Sequence, residues 1–422
     1  MIESYGQNSN KPEIVETSSD LVNKNKLNIG IISEASVNHT SGVTRSVAEV
    51  TKNLIQDGHD VKIMCPGPAP DEFAGAEVIT TKSYRTKGFD VGSFSEKKFH
   101  SYYENNDFDV LHIASPMDTP GGLLFIGGNA IRAANNSGIP TTAIYQTDAV
   151  KFSNHLKLGI TAPVIRKILG DMHNQADINL VPSTSSVHDL LDFNVRPESI
   201  KIWTRGVDLE AFHPSNKYLD GAIDLREQLA PNGEIIFGSV SRLEPEKRLA
   251  KLAILNEIDN ARLLVVGSGT GQTKLEKKLG KQALFTGMLS GEKLSEAYGA
   301  IDAFILPSIS ETFAQSVQEA KASGIPVISA NRGGPKDLIE HGINGYLYEP
   351  HDKNKKPDRE LLEYGRILTE DQELRSIMGI AARSSVEHRS WDNLVKNELV
   401  DYYRQAISSR HNNIGKLVLN KT

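Results

Sequence analysis

The sequence predicts an α/β protein built from two doubly wound parallel sheets that face one another across a cleft. Two observations predict this fold class. Short β-branched runs alternate with stretches of helical period along most of the 422 residues, the pattern of parallel sheets flanked by helices. The runs are also too many for one open sheet of usual size, and they divide near "GVDLEAFHPSNK" (206 to 217).

The first series is "LNIGIIS" (27 to 33), "HDVKIMC" (59 to 65), "DVLHIAS" (109 to 115), "PTTAIYQ" (140 to 146), "INLVPS" (178 to 183) and "IKIWTR" (200 to 205). Polar turn residues and usually a helical stretch follow each, such as "VTRSVAEVTKNLIQDG" after the first. The second series is "EIIFGSVS" (234 to 241), "ARLLVVGSG" (261 to 269), "ALFTGM" (283 to 288), "DAFILPS" (302 to 308) and "PVISAN" (326 to 331). Each series has the pattern of a Rossmann-like domain. The expected organisation is a mobile tail over 1–26, an N-terminal domain over 27–207 and a C-terminal domain over 208–390. An amphipathic segment over 391–409 comes after the second sheet is complete and is expected to cross back over the hinge, with a second tail over 410–422.

Composition narrows the partners. A formal charge of −6 gives no global basic field of the kind that nucleic-acid binders carry, so any anion site is local. The single cysteine, Cys65, excludes an intramolecular disulfide and a cysteine-rich metal site and fits a reducing, cytoplasmic compartment. No apolar run approaches the length of a membrane span, and the polar start lacks the apolar stretch of a secretory signal.

Ligands of such sheets bind beyond the carboxyl ends of the strands. After the first strand, Gly42 sits where a helix begins, which brings backbone amides close to a phosphate or simply satisfies a tight strand-to-helix turn. After the first strand of the second series, "SVSRLEPEKRL" places Arg242 and Lys247 around a proline turn. Two such cations suit a diphosphate, unless Glu244 and Glu246 neutralise them in a solvated loop. "ETFAQSVQE" puts Glu311 in a loop and Glu319 eight residues on, inside a helix that begins over Phe313 to Gln315. Eight helical steps would leave the pair about 80° apart, so a continuous helix would not align them. Split between loop and helix, Glu311 can reach a sugar hydroxyl and Glu319 a ribose, while the amides of Phe313, Ala314 and Gln315 face phosphates between them. Two ordinary acids favoured by the helix dipole are the alternative.

Taken in order, "SRLEPEK", "VVGSG", "FTGMLS", the E-x7-E of "ETFAQSVQE" and "ASGIPVISANRGGPKDLIEHGINGYLYEP" resemble the donor-binding domain of retaining family-4 glycosyltransferases of GT-B fold. "SGVTRSVAEVTKNLIQDGHDVKIMCPG", "DVLHIASP", "GIPTTAIYQTD" and "RGVDLEAFHP" resemble the bacterial GDP-mannose-dependent α-mannosyltransferases that build glycolipids. The resemblance spans about residues 27 to 409. It implies that Arg242 and Lys247 hold the donor diphosphate, that Gly42 closes on it, and that Glu311 binds the transferring sugar and Glu319 the ribose. Gly267 and Met288 would line the nucleotide site. It implies a GDP-mannose donor, a glycolipid acceptor and no essential metal; "DFD" (107 to 109) begins a strand and reads as ordinary chain. Asp148, just past a strand end, is expected to bind the acceptor or to cap a helix, with Tyr145 and Arg205 as its neighbours. Thr312 and Ala314 stand where the family pattern has glycines, and Ala114 where related mannosyltransferases carry the second histidine of H-x-H.

A lipid acceptor places the enzyme on the inner face of the cell membrane as a peripheral protein. Lys82, Arg85, Lys87, Lys97 and Lys98, interleaved with Tyr84, Phe89, Phe94 and Phe99, make a basic and aromatic stretch for anionic lipid or a solvated connection; Arg166 and Lys167 extend it. The alternatives are a UDP-sugar transferase with a soluble acceptor, another nucleotide-sugar enzyme of this fold, and a two-lobed sugar-binding protein.

Overall fold

The computed structural model describes residues 25–34, 36–38, 42–86, 89–116, 126–146, 162–351 and 358–419. The N-terminal sheet contains β1 (Asn28–Ile32), β2 (Asp60–Pro66), β3 (Glu72–Phe73), β4 (Ala76–Thr86), β5 (Phe89–Ser93), β6 (Val110–Ile113), β7 (Thr141–Ile144), β8 (Ile178–Val181) and β9 (Ile200–Ile202). Its order is β3-β4-β2-β1-β6-β7-β8-β9, with β5 paired to β4. The six runs expected from sequence form parallel strands; the first five are largely buried on both faces, which is why they read as near-continuous apolar stretches, while β9 at the sheet edge is half-exposed. Alternation still sorts their side chains. Ile29 and Ile31 of β1 enter one core and Ile32 the other. Helices α1 (Gly42–Gln56), α2 (Glu96–Glu104), α3 (Gly127–Ser137), α4 (Ala162–His173) and α5 (Thr184–Asp192) cover the sheet.

The basic and aromatic stretch is not an aromatic surface on α2. Phe99 is fully buried and Phe94 meets it edge-on at 4.7 Å, because α2 must bury one apolar stripe against the sheet. Lys97 and Lys98 are exposed, and Lys87 lies outside the described residues. No helix among the described residues is long and apolar enough to cross a membrane.

The second sheet holds β10 (Ile235–Val240), β11 (Ala261–Val266), β12 (Ala283–Gly287), β13 (Ala303–Leu306), β14 (Val327–Ala330) and β15 (Gly345–Tyr348), preceded by α6 (Asp220–Leu229). The order β12-β11-β10-β13-β14-β15 is parallel throughout. Interleaved with the strands are α7 (Gln272–Leu279), α8 (Gly291–Gly299), α9 (Gln315–Ala322) and α10 (Pro335–Leu338), followed by α11 (Arg359–Glu370) and α12 (Gln372–Ser384).

The chain then returns. α13 (Trp391–Leu394) runs through a π-helical turn, Val395–Leu399, into α14 (Val400–Leu419). Trp391, Val395, Leu399, Tyr403 and Ile407 join Val47, Leu54 and Trp203 in one core of the first domain. His112 of β6, fully buried, shares a 2.8 Å hydrogen bond with the Tyr403 hydroxyl, and burial pushes the imidazole down to about 3. It is a neutral core histidine. Val207 and Ser390 bridge each other, so the outgoing and returning chains cross the hinge side by side.

Candidate active site

Both sheets direct their carboxyl ends toward the cleft. Beyond β10, Leu243 N donates to Ser268 O at 2.9 Å and accepts Gly271 N at 2.9 Å through its own carbonyl, which pins the Arg242 loop to the loop after β11. Glycine is required at Gly267, where φ is +134° and an added Cβ would lie 1.9 Å from Ser241 O. Glu244 is drawn away from the cations, accepting Thr270 Oγ1 at 2.6 Å. Arg242 meets Glu246 at 3.1 Å but keeps an exposed guanidinium. Lys247 ends a single 3-10 turn, Pro245–Lys247, and its Nζ lies 2.7 Å from Glu311 Oε1.

Glu311 follows β13 in a loop held from behind by "RGGP". Gly334 N donates to Glu311 O at 2.8 Å, and side chains at Gly333 or Gly334 would collide with the backbone of residues 311 to 313. Burial by itself raises the Glu311 carboxyl, but Lys247, with Ser308 and Arg242, outweighs it and holds the group below its usual range. The carboxylate is therefore ionised and paired with the cation beside it.

α9 starts at Gln315, and Ala314 before it is left-handed at φ 79°. Val317 N turns back to Ala314 O at 3.0 Å, so the amides that the helix itself leaves without an acceptor are those of Gln315 and Ser316. A left-handed alanine costs roughly 1–2 kcal/mol, only part of which glycine returns as extra chain entropy. Ala314→Gly is therefore expected to stabilise the fold by about 0.5–1 kcal/mol and raise the unfolding midpoint by about 1–3 °C. A lower midpoint in thermal melts would remove strain from the account of this turn.

Glu319 lies in α9 and is buried to 3% exposure. Its Oε2 accepts from the Tyr298 hydroxyl at 2.8 Å, and its Oε1 from Arg45 Nη1 of α1 at 2.6 Å, across the cleft. Burial pushes this carboxyl up against the opposing pull of Arg45 and Tyr298. Other bonds join the domains nearby: Thr312 Oγ1 to Gln146 O at 3.0 Å, Gln315 Nε2 to Gly206 O at 2.9 Å and Gln318 Nε2 to Arg205 O at 2.7 Å. Asp337 of α10 accepts Thr184 Oγ1 at 2.6 Å, which ties its domain to α5.

Residues 222–385 match the family described as glycosyl transferases group 1, and residues 40–211 match Glycosyltransferase Family 4. The chain is 33% identical over 393 residues to the GDP-mannose-dependent alpha-mannosyltransferase of Mycolicibacterium smegmatis, covering 91% of this chain and 99% of that protein. It belongs to the family-4 glycosyltransferases. The sulfoquinovosyl transferase SQD2 of Arabidopsis thaliana is 31% identical over 84% of this chain and 68% of that protein. Among solved structures, Anabaena HepE in complex with UDP and glucose superposes with a TM-score of 0.70 at 16% identity, over 89% of this chain and 99% of that one, and has the same GT-B architecture.

In this glycosyltransferase the structure brings Lys247, Glu311, Arg242 and the start of α9 together, with Glu319 deeper on the same helix. Gly42 begins α1 across the cleft, its Cβ position 3.3 Å from Arg205 Nη1. Met288 is 62% exposed at the end of β12. Gly267 supports the Arg242 loop, and Phe313 is a core residue at 3% exposure that contributes only backbone to the cleft. Arg205 donates to Gln146 Oε1, and burial lowers it to about 10. Tyr145 requires a correction. Its ring packs edge-on against His173 and Phe193 at 5.8 and 5.9 Å and is 4% exposed, so it is core rather than an acceptor contact. Asp148 lies outside the described residues. No group of three or more His, Cys, Asp or Glu placed to hold a metal ion occurs among the described residues. Sequence reasoning missed Arg45, Tyr298 and Gln146. Only Arg45 left a local sign, as a cation in the first turn of a helix with no acid there.

Proposed function

We propose that the enzyme transfers mannose from GDP-mannose to a hydroxyl of a glycolipid acceptor, with retention at the anomeric carbon. The observation that carries this reading is the Lys247–Glu311 pair beside the start of α9, together with the identity to a relative named for that donor. An ammonium has three donors, so Lys247 can keep Glu311 and still reach a phosphate. With Arg242 and the first-turn amides of α9, it stabilises the charge that grows on the diphosphate as the bond from C1 to the phosphate oxygen breaks. Glu311, fixed by Lys247, orients the sugar through its hydroxyls, and Glu319 takes the ribose. The acceptor oxygen bonds to C1 on the face that the diphosphate leaves, and its proton passes to a phosphate oxygen. The products are GDP and an α-mannoside.

A UDP-sugar donor is the second reading, since the Anabaena structure of this fold holds UDP. The test is to incubate the purified chain separately with GDP-mannose, UDP-glucose and UDP-GlcNAc and to follow slow donor hydrolysis and thermal protection. GDP-mannose is expected to be cleaved and to protect. A response to a UDP-sugar alone selects the second reading, and binding of none overturns the transferase reading. The lipid acceptor and peripheral membrane contact are tested in the same preparation by co-sedimentation with anionic vesicles at moderate salt. A protein left wholly in the supernatant that uses a water-soluble acceptor overturns both.

A further inference from the structure

The carboxylate read as the ribose ligand is already covered by a residue of the opposite domain. Resting on that reading of Glu319, we propose that Arg45 is a positioning residue that occupies the ribose's place on Glu319 and is displaced from it by the donor's hydroxyls.

The two partners of Glu319 differ in their freedom to move. Tyr298 is fully buried between Phe212 and Phe304, at ring distances of 5.3 and 5.9 Å, and its hydroxyl also reaches Ser316 O at 3.2 Å. It is a fixed donor to Oε2. Arg45 keeps 46% of its side chain exposed while Glu319 keeps 4%, so the guanidinium is a cover on a buried oxygen. It also has somewhere to go. Glu49, one turn further along α1, lies within its electrostatic reach.

The charge balance at the start of α1 explains why Arg45 pairs across the cleft. The helix has no acid in its first turn, its N-terminal end carries the positive end of the helix dipole, and Arg205 Nη1 approaches Gly42. A further cation there is disfavoured unless an anion faces it. Glu319 supplies that anion across the cleft, and a bound diphosphate supplies it when the donor arrives. Donor binding can then exchange one complete set of partners for another. The vicinal ribose hydroxyls replace the guanidinium on Oε1, and neither the carboxylate nor the cation is left buried and unpaired.

The test compares a nucleoside diphosphate with its 2′,3′-dideoxy form by calorimetry on the full chain, using the base that the donor screen selects, with GDP expected. The dideoxy nucleotide leaves Arg45 in place, so the wild type should prefer the ribose form only modestly. Arg45→Met is expected to enlarge the preference for GDP over dideoxy-GDP by about five- to tenfold. Arg45→Lys should keep the wild-type ratio. Arg45→Gln repeats the measurement should the methionine variant not fold. A preference that is unchanged or smaller in the neutral variants overturns the role of Arg45 alone. If neither wild type nor variant distinguishes the two nucleotides, the ribose reading of Glu319 fails and the proposal falls with it.

Discussion

Lys247→Ala and Glu311→Ala each lower turnover by about 10²–10³-fold while the protein stays folded. Each variant strips its partner of its counter-ion: Glu311 is left buried without the cation that keeps it ionised, or Lys247 loses the carboxylate that fixes it. Because the two act as a unit, the double variant should be little worse than the poorer single one. Steady-state transfer rates on chains whose circular dichroism matches wild type check this. Wild-type turnover in either single variant would overturn both assigned roles.

Gly267→Ala should disable donor binding through a residue that offers the donor no side chain. The added Cβ would sit 1.9 Å from Ser241 O at a φ of +134°, so both the backbone geometry and the space refuse it. The chain can relieve the clash only by moving Ser241 away, and Arg242 is the next residue. We expect a loss of about 2–4 kcal/mol in stability and a weakening of donor affinity beyond about tenfold. Gly233→Ala is the control. It shares a positive φ, 79°, but has nothing within 4 Å, so it should cost only about 1 kcal/mol and leave the donor untouched. Equal behaviour of the two variants in melting and donor titration would show that crowding against Ser241 does not hold the loop.

What could be read from the sequence follows from how each feature is encoded. Parallel strands buried on both faces are continuous apolar runs, so "LNIGIIS" and "ARLLVVGSG" declare themselves. β15 does not, because "GYLY" is short and opens on glycine, and the segments of β3 to β5 are rich in polar residues and broken by turn residues. The E-x7-E and Arg/Lys motifs are local, and Lys247 and Glu311 do meet, although their contact spans 64 residues. Arg45 and Glu319 are 274 residues apart and share no pattern, so nothing short of the fold joins them. Tyr145 was misplaced by one step of a strand's alternation. Tyr145 lies on the core side with Ala143, and its neighbour Gln146 is the one that reaches Arg205 and receives Thr312. Thr312 also shows that a departure from the family pattern can carry a contact, since glycine has no hydroxyl to offer the opposite domain.

The side-by-side crossing at Val207 and Ser390 makes the second domain a guest rather than a neighbour. The polypeptide leaves the first domain, builds the second, and re-enters at an adjacent point to finish the core it left open with Trp391, Val395, Leu399 and Tyr403. The first domain is thus discontinuous in sequence, and the second is a loop insertion whose two ends nearly touch, the arrangement in which insertions are best tolerated. Exchange of the second domain among relatives then requires two cuts at one place in space, and a fragment ending before Trp391 would expose the apolar faces of β1 and α1.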